Sequence, residues 1–444
     1  MLYFGCMIFI LFVGIGLFLI YHLFLSDVQG FFATLAPAVW QFSMYAFLLA
    51  GGMIMLALIS WMIAHKIHRG FRYAWSHFRI LSAVKKAMLE SGVYIKEGVG
   101  KSTLARLPQM KLTFSDDLVS AVLTVENHPR LDKTLDTLAL SSCLKHYVVD
   151  QHYQTENLNT YVYELSDSRK QKQMAFHSVE DFMEYSQNRC GDYELFLDDV
   201  STIPLGSALL CGVTGSGKTF SAYSLVLQIL GKSVPHSLFV GDPKGSSLAV
   251  LGEKISKENT AEDVHGIIEL LDRFHSEMQQ RKIEIKDRLH EKLDATYADF
   301  DLPAKIFVCD EYSSLIGYIG GLDKKTRDDF MAKLKAVIMQ GRQLGFFLWI
   351  LMQKSDATTI PTDIRDNLVC KIVLGSAPRT TYDTAIGTEA AAHIPVRKFL
   401  AGQGVFTCDG ITHKGHPKLC NFPTLSFDIL GAVKKLSRGG SLRK

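Results

Sequence analysis

Gly212-Val213-Thr214-Gly215-Ser216-Gly217-Lys218-Thr219 match the pattern G-x-x-x-x-G-K-[ST] at every fixed position. Glycines in such a run let backbone N–H groups turn inward around a phosphate that side chains would block. Lys218 would then reach the β- and γ-phosphates of ATP, and the Thr219 hydroxyl would ligate Mg²⁺. Further along, the apolar run Ile306-Phe307-Val308-Cys309 ends in Asp310-Glu311. A buried strand of this kind delivers carboxylates to its C-terminal end, where open α/β sheets hold their ligands. Asp310 would hold Mg²⁺, directly or through water, and Glu311 would polarise an attacking water as general base. Acids after a strand are common, so the pair gains its meaning from the phosphate loop upstream. Gln353 closes the apolar run Phe346–Met352, where a polar side chain can touch the γ-phosphate or the water and report nucleotide state.

These residues need elements to place them. Ala208-Leu209-Leu210-Cys211 reads as a buried strand into the loop, and Phe220 to Leu230 as a helix leading out and stopping at Gly231. The helix N-terminus adds partial positive charge at the phosphates. Leu238-Phe239-Val240 is a strand ending in Gly241-Asp242-Pro243-Lys244-Gly245. A long helix is expected from Ala261 to about Ala298, started by the pair Thr260 and Asp263. Its residues Val264, Ile267, Leu271, Phe274 and Met278 step by three and four and define one apolar face. A helix near Asp328 to Gln340 leads into Gly341-Arg342-Gln343, and Cys370 to Leu374 is a further strand. Strand–helix alternation from about Gly191 onward implies a mostly parallel sheet. Arg342, Arg365 and Arg379 are all candidates for a finger donated to a neighbour's ATP, and the spacing does not choose among them.

The chain has 444 residues and a net charge of +3, too small to argue nucleic-acid binding by itself. The informative feature is where charge is missing. No Asp, Glu, Lys or Arg occurs from Met1 to Leu25 or from Val28 to Ala64. Segments at about 7–25 and 41–63 each meet the ~20 apolar residues a membrane-spanning helix needs. A cleaved signal peptide would want a basic start, which Met1 to Cys6 lacks. Lys66, Arg69, Arg72, Arg79, Lys85 and Lys86 follow, interleaved with Phe71, Tyr73, Trp75 and Phe78. This places the flank on the cytoplasmic side, so both termini and the rest of the chain are expected in the cytoplasm of a multi-pass protein of the cell membrane. The eight cysteines contain no C-x-x-C pair and read as reduced, buried thiols. Cys408, His413, His416 and Cys420 are types that zinc uses, but the stretch reads more simply as two strands, Gly404–Cys408 and Lys418–Phe422, joined by a turn.

The expected organisation is a transmembrane hairpin over 1–64, a basic-aromatic juxtamembrane segment over 65–82 and a small α+β domain over 83–165. A linker over 166–190, an α/β nucleotide-binding domain over 191–430 and a basic tail over 431–444 complete it. In the small domain, strands are expected at Lys111–Phe114, Val119–Glu126, Tyr147–Asp150 and Tyr161–Leu165, with a helix at Leu131–Leu140. The tail carries Lys434, Lys435, Arg438, Arg443 and Lys444.

The order Gly212–Thr219, Asp242-Pro243-Lys244, Glu277-Met278 with Arg281, Asp310-Glu311, Gly341-Arg342 and Gln353 resembles the FtsK/SpoIIIE family of DNA-pumping ATPases. With two membrane helices and a single motor domain, the chain is most similar to the FtsK-like coupling proteins of conjugative elements in Gram-positive bacteria. The resemblance implies a RecA-like P-loop motor, a hexameric ring with ATP at subunit boundaries, and DNA held non-specifically in the pore. It implies Lys218 and Thr219 on phosphate and Mg²⁺, Asp310 and Glu311 as the Walker B pair, Gln353 as sensor and Arg342 as the trans finger. The implied task is coupling in conjugative transfer, bringing relaxase-bound DNA to a type IV secretion channel, with relaxosome and channel proteins as partners. Alternatives within the family are protein export of the type VII kind, or segregation of chromosome or plasmid DNA. Export relatives resemble longer chains with tandem motors, and segregating members carry a winged-helix module for which no room is expected after Phe427. A transporter of the ABC kind would need Leu-Ser-Gly-Gly-Gln between the two nucleotide motifs, and none is there. Intact Lys218 and Glu311 argue against a scaffold that does not hydrolyse ATP.

Overall fold

The computed structural model describes residues 2–25, 34–97, 104–131, 134–135, 138, 140, 143–169, 173–290, 292–355, 359–394, 398–413 and 415–438. The chain forms two compact units, one made of 1–123, 129–134 and 138–145, the other of 124–128, 135–137 and 146–444. Each is described by itself.

The second unit is built on an eight-stranded sheet. Its strands are β1 (Ala208–Gly212), β2 (Ser237–Gly241), β3 (Thr260–Ala261), β4 (Lys305–Cys309), β5 (Phe346–Met352), β6 (Cys370–Leu374), β7 (Gln403–Cys408) and β8 (Lys418–Asn421). They lie in the order β3-β2-β4-β5-β1-β6-β7-β8. From β3 to β6 every pairing is parallel, and β7 and β8 extend the edge antiparallel. The sequences explain the burial. A parallel sheet is covered on both faces, so its strands are continuous apolar runs with no alternation. All seven residues of β5 are buried, as are Leu209, Leu210 and Cys211 of β1. The register sets Cys211 beside Met352 and Val373, so β1, β5 and β6 reach the same edge with their C-terminal ends.

Helices α1 (Lys218–Leu230), α2 (Ser247–Ile255), α3 (Val264–Arg288) and α4 (Lys324–Leu344) connect the strands. The helix expected from Ala261 starts later and ends sooner. Thr260 and Ala261 pair with β2 as an edge strand, and the cap is Asp263 alone, whose carboxylate accepts from Gly266 N at 2.9 Å. Strand pairing captured the first residues because Val240 and Gly241 offered an unpaired edge. Beyond Gln280 most side chains face outward, but Ile285 is buried and α3 stops at Arg288. Gly341 lies inside α4, not after it, and the helix ends at Gly345 in a left-handed conformation with φ 75°.

Part of the stretch expected as a linker is ordered core. Ala175–Phe176 pairs with Thr424–Leu425, and Ser178 caps a helix, Val179–Arg189, that buries Phe182 and Met183. The basic end of the chain begins as a helix, Ile429–Arg438, that buries Ala432, Val433 and Leu436 and pairs Lys435 with Glu180. Arg443 and Lys444 lie outside the described residues. The strands Tyr147–Gln154 and Thr160–Asp167 form an antiparallel hairpin in this unit, with an irregularity between Val149 and Gln151.

In the first unit, helices Leu2–Ile20 and Ala36–Ala64 pack together. Ser43 Oγ donates to Gly14 O at 3.2 Å, and a Cβ on Gly14 would lie 3.2 Å from Ala46 Cβ. Among the described residues, Ala36–Ala64 is the one helix long and apolar enough to cross a membrane. Its 29 residues correspond to about 44 Å at 1.5 Å each, more than the ~30 Å of a hydrocarbon core. Leu48, Leu56 and Ile63 along it are exposed. The basic-aromatic stretch enters a helix, Phe71–Glu90, whose Tyr73, Ala74, His77, Ile80, Val84 and Met88 form a buried face. The strand expected at 111–114 is present as Met110–Phe114, and the one expected at 119–126 as Ser120–Glu126, of which residues 120–123 belong to this unit and 124–126 to the second. Of the helix expected over Leu131–Leu140, residues 132–133, 136–137 and 139 lie outside the described residues.

A Cβ on Gly341 would sit 1.8 Å from the backbone oxygen of Phe346, a contact no side-chain rotation relieves. Gly317, in a helix with nothing within 4 Å of its would-be Cβ, is the control. Gly341→Ala is expected to cost about 1–3 kcal/mol, while Gly317→Ala is neutral or slightly stabilising. Thermal unfolding of both variants checks this.

Candidate active site

The loop Gly212–Thr219 leaves the C-terminal end of β1 and enters α1. Gly215 and Gly217 take φ 81° and 89°, a left-handed backbone that favours glycine. A Cβ on Gly212 would stand 2.3 Å from Ser216 Oγ, and one on Gly217 would stand 2.4 Å from Gly402 N. The loop is therefore closed tightly on itself, and Gly402 N donates to Ser216 O at 2.7 Å from the segment between β6 and β7. Its N–H groups and the start of α1 fit the β-phosphate of a nucleotide. Lys218 and Thr219 are the first two residues of α1 and line the same cleft.

Strand ends bring the acids to this loop. Asp310 follows β4 and Glu311 follows Asp310 at φ 48°, an uncommon conformation for a side chain of this size. Lys218 Nζ lies 3.2 Å from Asp310 Oδ1 and 3.3 Å from Glu311 Oε1. Gln353, just past β5, donates its side-chain amide to Glu311 Oε1 at 2.9 Å. Lys244 Nζ is 3.1 Å from Glu311 Oε2. So Lys218, Asp310, Glu311 and Gln353, distant in sequence, form one connected cluster.

Environment separates the two acids. Burial pushes the Asp310 carboxyl above its ordinary range, with Lys218 working against that. Burial also acts to raise Glu311, but the Gln353 hydrogen bond and the charges of Lys218 and Lys244 outweigh it and hold the group below its ordinary range. Such opposed environments are typical of acid–base sites. The donor set fits a triphosphate and its cation: loop amides and lysine for phosphate, with the Thr219 hydroxyl and Asp310 as oxygen ligands of the kind Mg²⁺ takes.

The sequence reading missed Ser246, Phe220 and Ala401. Ser246 Oγ bridges Asp242 and Asp310, donating to Asp242 Oδ2 and lying 3.4 Å from Asp310 Oδ2. Asp242 is fully buried and accepts from Lys244 N at 3.0 Å and Ser246 N at 2.7 Å, which folds the Asp-Pro-Lys-Gly turn back over the cleft. The turn residues themselves were a sufficient signal for that fold. Phe220 is exposed at the mouth of the cleft, and Ala401 lines it from the far end of the chain. No local pattern points to Ala401.

Other expected residues lie elsewhere. Arg342 is exposed in the last turn of α4, at the N-terminal end of β5, whereas Gln353 is at the C-terminal end. It does not join the cluster within its own chain. Among the described residues its side chain makes no hydrogen bond or ion pair. Arg365 donates to Thr384 O at 3.2 Å, and Arg379 to Ala391 O at 2.6 Å and to Asp383. Arg281 donates to Pro303 O and Leu344 O, and Glu277 pairs with Lys305 at 2.6 Å, so both brace the far end of the sheet. Cys408 and Cys420 are buried within β7 and β8, while His413 stacks on Tyr153 with centroids 3.4 Å apart. The expected hairpin is therefore present, and these four do not gather as ligands.

The parallel sheet, the loop on β1 and the acids on the neighbouring strands define a P-loop nucleotide-binding domain. Residues 188–318 match the model of the FtsK/SpoIIIE family, whose ATPase domain this part of the chain resembles. An FtsK domain-containing protein of Bacillus subtilis (strain 168), YdcQ, is 29% identical over 186 residues, 42% of this chain and 38% of the relative. The chain thus matches well under half the length of that relative. Among solved structures, the pCW3 conjugation coupling protein TcpA with ATPγS is similar at a TM-score of 0.48 and 16% identity, covering 77% of this chain and 94% of that one. The cytoplasmic domain of the Thermomonospora curvata type VII secretion ATPase EccC is similar at 0.40 and 20% identity, over 53% of this chain and 28% of that one.

Replacing Gln353 by Ala removes one of the interactions that hold Glu311 ionised. Its carboxyl should rise toward the ordinary range. A base works only when ionised, so the acid limb of the pH profile of kcat/KM for ATP hydrolysis should move to higher pH. An unmoved acid limb would separate Glu311 from the rate.

Proposed function

We propose that this protein is a membrane-anchored, ATP-driven DNA translocase that serves as a coupling protein in conjugative transfer, bringing relaxase-bound DNA to a secretion channel. The observation that carries the reading is the cluster of Lys218, Asp310, Glu311 and Gln353 on an FtsK/SpoIIIE-type domain, in a chain that also holds a long apolar helix. In this reading the loop amides and Lys218 hold the β- and γ-phosphates. Thr219 and Asp310 would hold Mg²⁺, which when bound would neutralise charge on the phosphates. Glu311 orients and deprotonates the attacking water, and Gln353 keeps Glu311 ionised and in place.

In this reading the subunits act together in a ring, and a hexamer with ATP at its subunit boundaries is part of the proposal. The exposed, unengaged Arg342 suits a finger reaching a neighbour's nucleotide better than Arg365 and Arg379, whose guanidinium groups are held by their own chain. Leu2–Ile20 and Ala36–Ala64 would form a transmembrane hairpin, supported by their close packing at Gly14 and Ser43. The basic residues after Ala64 then keep the ATPase domain in the cytoplasm. DNA contact would be to phosphates and independent of base sequence, with cargo chosen by the relaxosome.

The full chain in detergent should hydrolyse ATP several-fold faster with DNA, and the stimulation should fall steeply with salt. Lys218→Ala should abolish both basal and stimulated turnover. Hydrolysis indifferent to DNA, or stimulated only by a secreted protein, would overturn the assignment in favour of protein export.

A further inference from the structure

Outside the nucleotide cleft, the second unit gathers three imidazoles from distant parts of the sequence. His152 is on the strand Tyr147–Gln154, His393 follows the short helix Thr388–Ala392, and His416 is in the turn between β7 and β8. One ring nitrogen of each lies within 4.8 Å of the other two, and all three residues are half-buried. Ring centroids are 5.0 Å apart for His152 and His393, 4.9 Å for His152 and His416, and 4.4 Å for His393 and His416. The backbone is shaped to bring them there. Gly415 takes φ 76°, and a Cβ on it would lie 2.8 Å from the Glu389 carboxylate, so only glycine lets the turn close and present His416. Lys418 pairs with Glu164 at 3.2 Å and His413 stacks on Tyr153, which hold the hairpin 147–167 against this turn.

We propose that His152, His393 and His416 bind a divalent transition-metal ion of the zinc class, clipping the 147–167 hairpin to the antiparallel edge of the sheet. Zinc bound at ~2.0–2.1 Å to each nitrogen brings tetrahedral donors closer than 4.8 Å, which asks for small side-chain adjustments only. Nitrogen donors without a surrounding oxygen set select zinc, cobalt, nickel or copper over Mg²⁺ and Ca²⁺. The fourth position falls to water. Of the four zinc-type residues between 408 and 420, only His416 takes part, because both cysteines are committed to the sheet.

The test uses the untagged full chain in detergent, stripped with a chelator and titrated with Zn²⁺ and, separately, Co²⁺. One tight Zn²⁺ per chain is expected, with a raised Tm. The Co²⁺ form should show visible d–d bands without the thiolate-to-metal charge-transfer band that cysteine ligation gives. His152→Gln and His416→Gln should each weaken Zn²⁺ binding at least tenfold. No saturable binding, a thiolate band, or undiminished binding in the two variants would overturn the site. The wild-type Co²⁺ spectrum decides the matter even where a variant folds poorly.

Discussion

Three carboxylates converge where the parallel strands end, and their mutual repulsion is the constraint that organises the nucleotide cleft. Asp242 is fully buried, Asp310 nearly so, and Glu311 half-buried, on adjacent strand ends. Negative charges this close in a low-dielectric cleft are tolerated only with compensation. The protein supplies it in two ways. Asp242 is spent on a turn, accepting two backbone amides and the Ser246 hydroxyl. Asp310 and Glu311 share the Lys218 ammonium, and Glu311 draws further on Lys244 and Gln353. Phosphates arriving at the loop compete for the same lysine, so nucleotide binding and the ionisation of the acids are coupled by one side chain.

That coupling depends on the sheet. In parallel pairing all C-terminal ends meet one edge, and the register that puts Cys211 beside Met352 and Val373 sets the loop between Gln353 and the last parallel strand. The chain then closes the loop from behind. Gly402 donates to Ser216, and Gln173, from the other end of the unit, donates to Ala401 O at 3.2 Å and Phe422 O at 2.5 Å. The Gln173 side-chain amide thus ties the 173–176 segment to the backbone that holds the phosphate loop closed.

Much of this was legible in the sequence because buried parallel strands are plain apolar runs. Phe346–Met352 and Cys370–Leu374 were read with their observed ends, and the phosphate loop and Asp310-Glu311 announce themselves by residue type. The errors have a common source. Thr260 was read as a helix cap but pairs with β2, because an open strand edge outcompeted a local cap. Residues 175–189 were read as linker, yet Phe176, Phe182 and Met183 complete a core supplied by distant segments. Arg281, quoted in the family pattern without a role, donates to backbone oxygens at the end of the sheet away from the nucleotide loop and pairs with Glu284.

The sequence by itself determined the chemistry available: a loop whose glycines admit a phosphate, a lysine and threonine to hold it, two acids at a strand end, and a charge-free stretch long enough for a membrane. These follow from local residue types and spacing, which act over a few residues. Only the tertiary structure decided which groups touch. Gln353 reaching Glu311, Ser246 reaching Asp310, Gly402 closing on Ser216, and His152 meeting His393 and His416 all join residues far apart in the chain. Such contacts are set by strand order and register, which many segments fix jointly, and no local pattern encodes them.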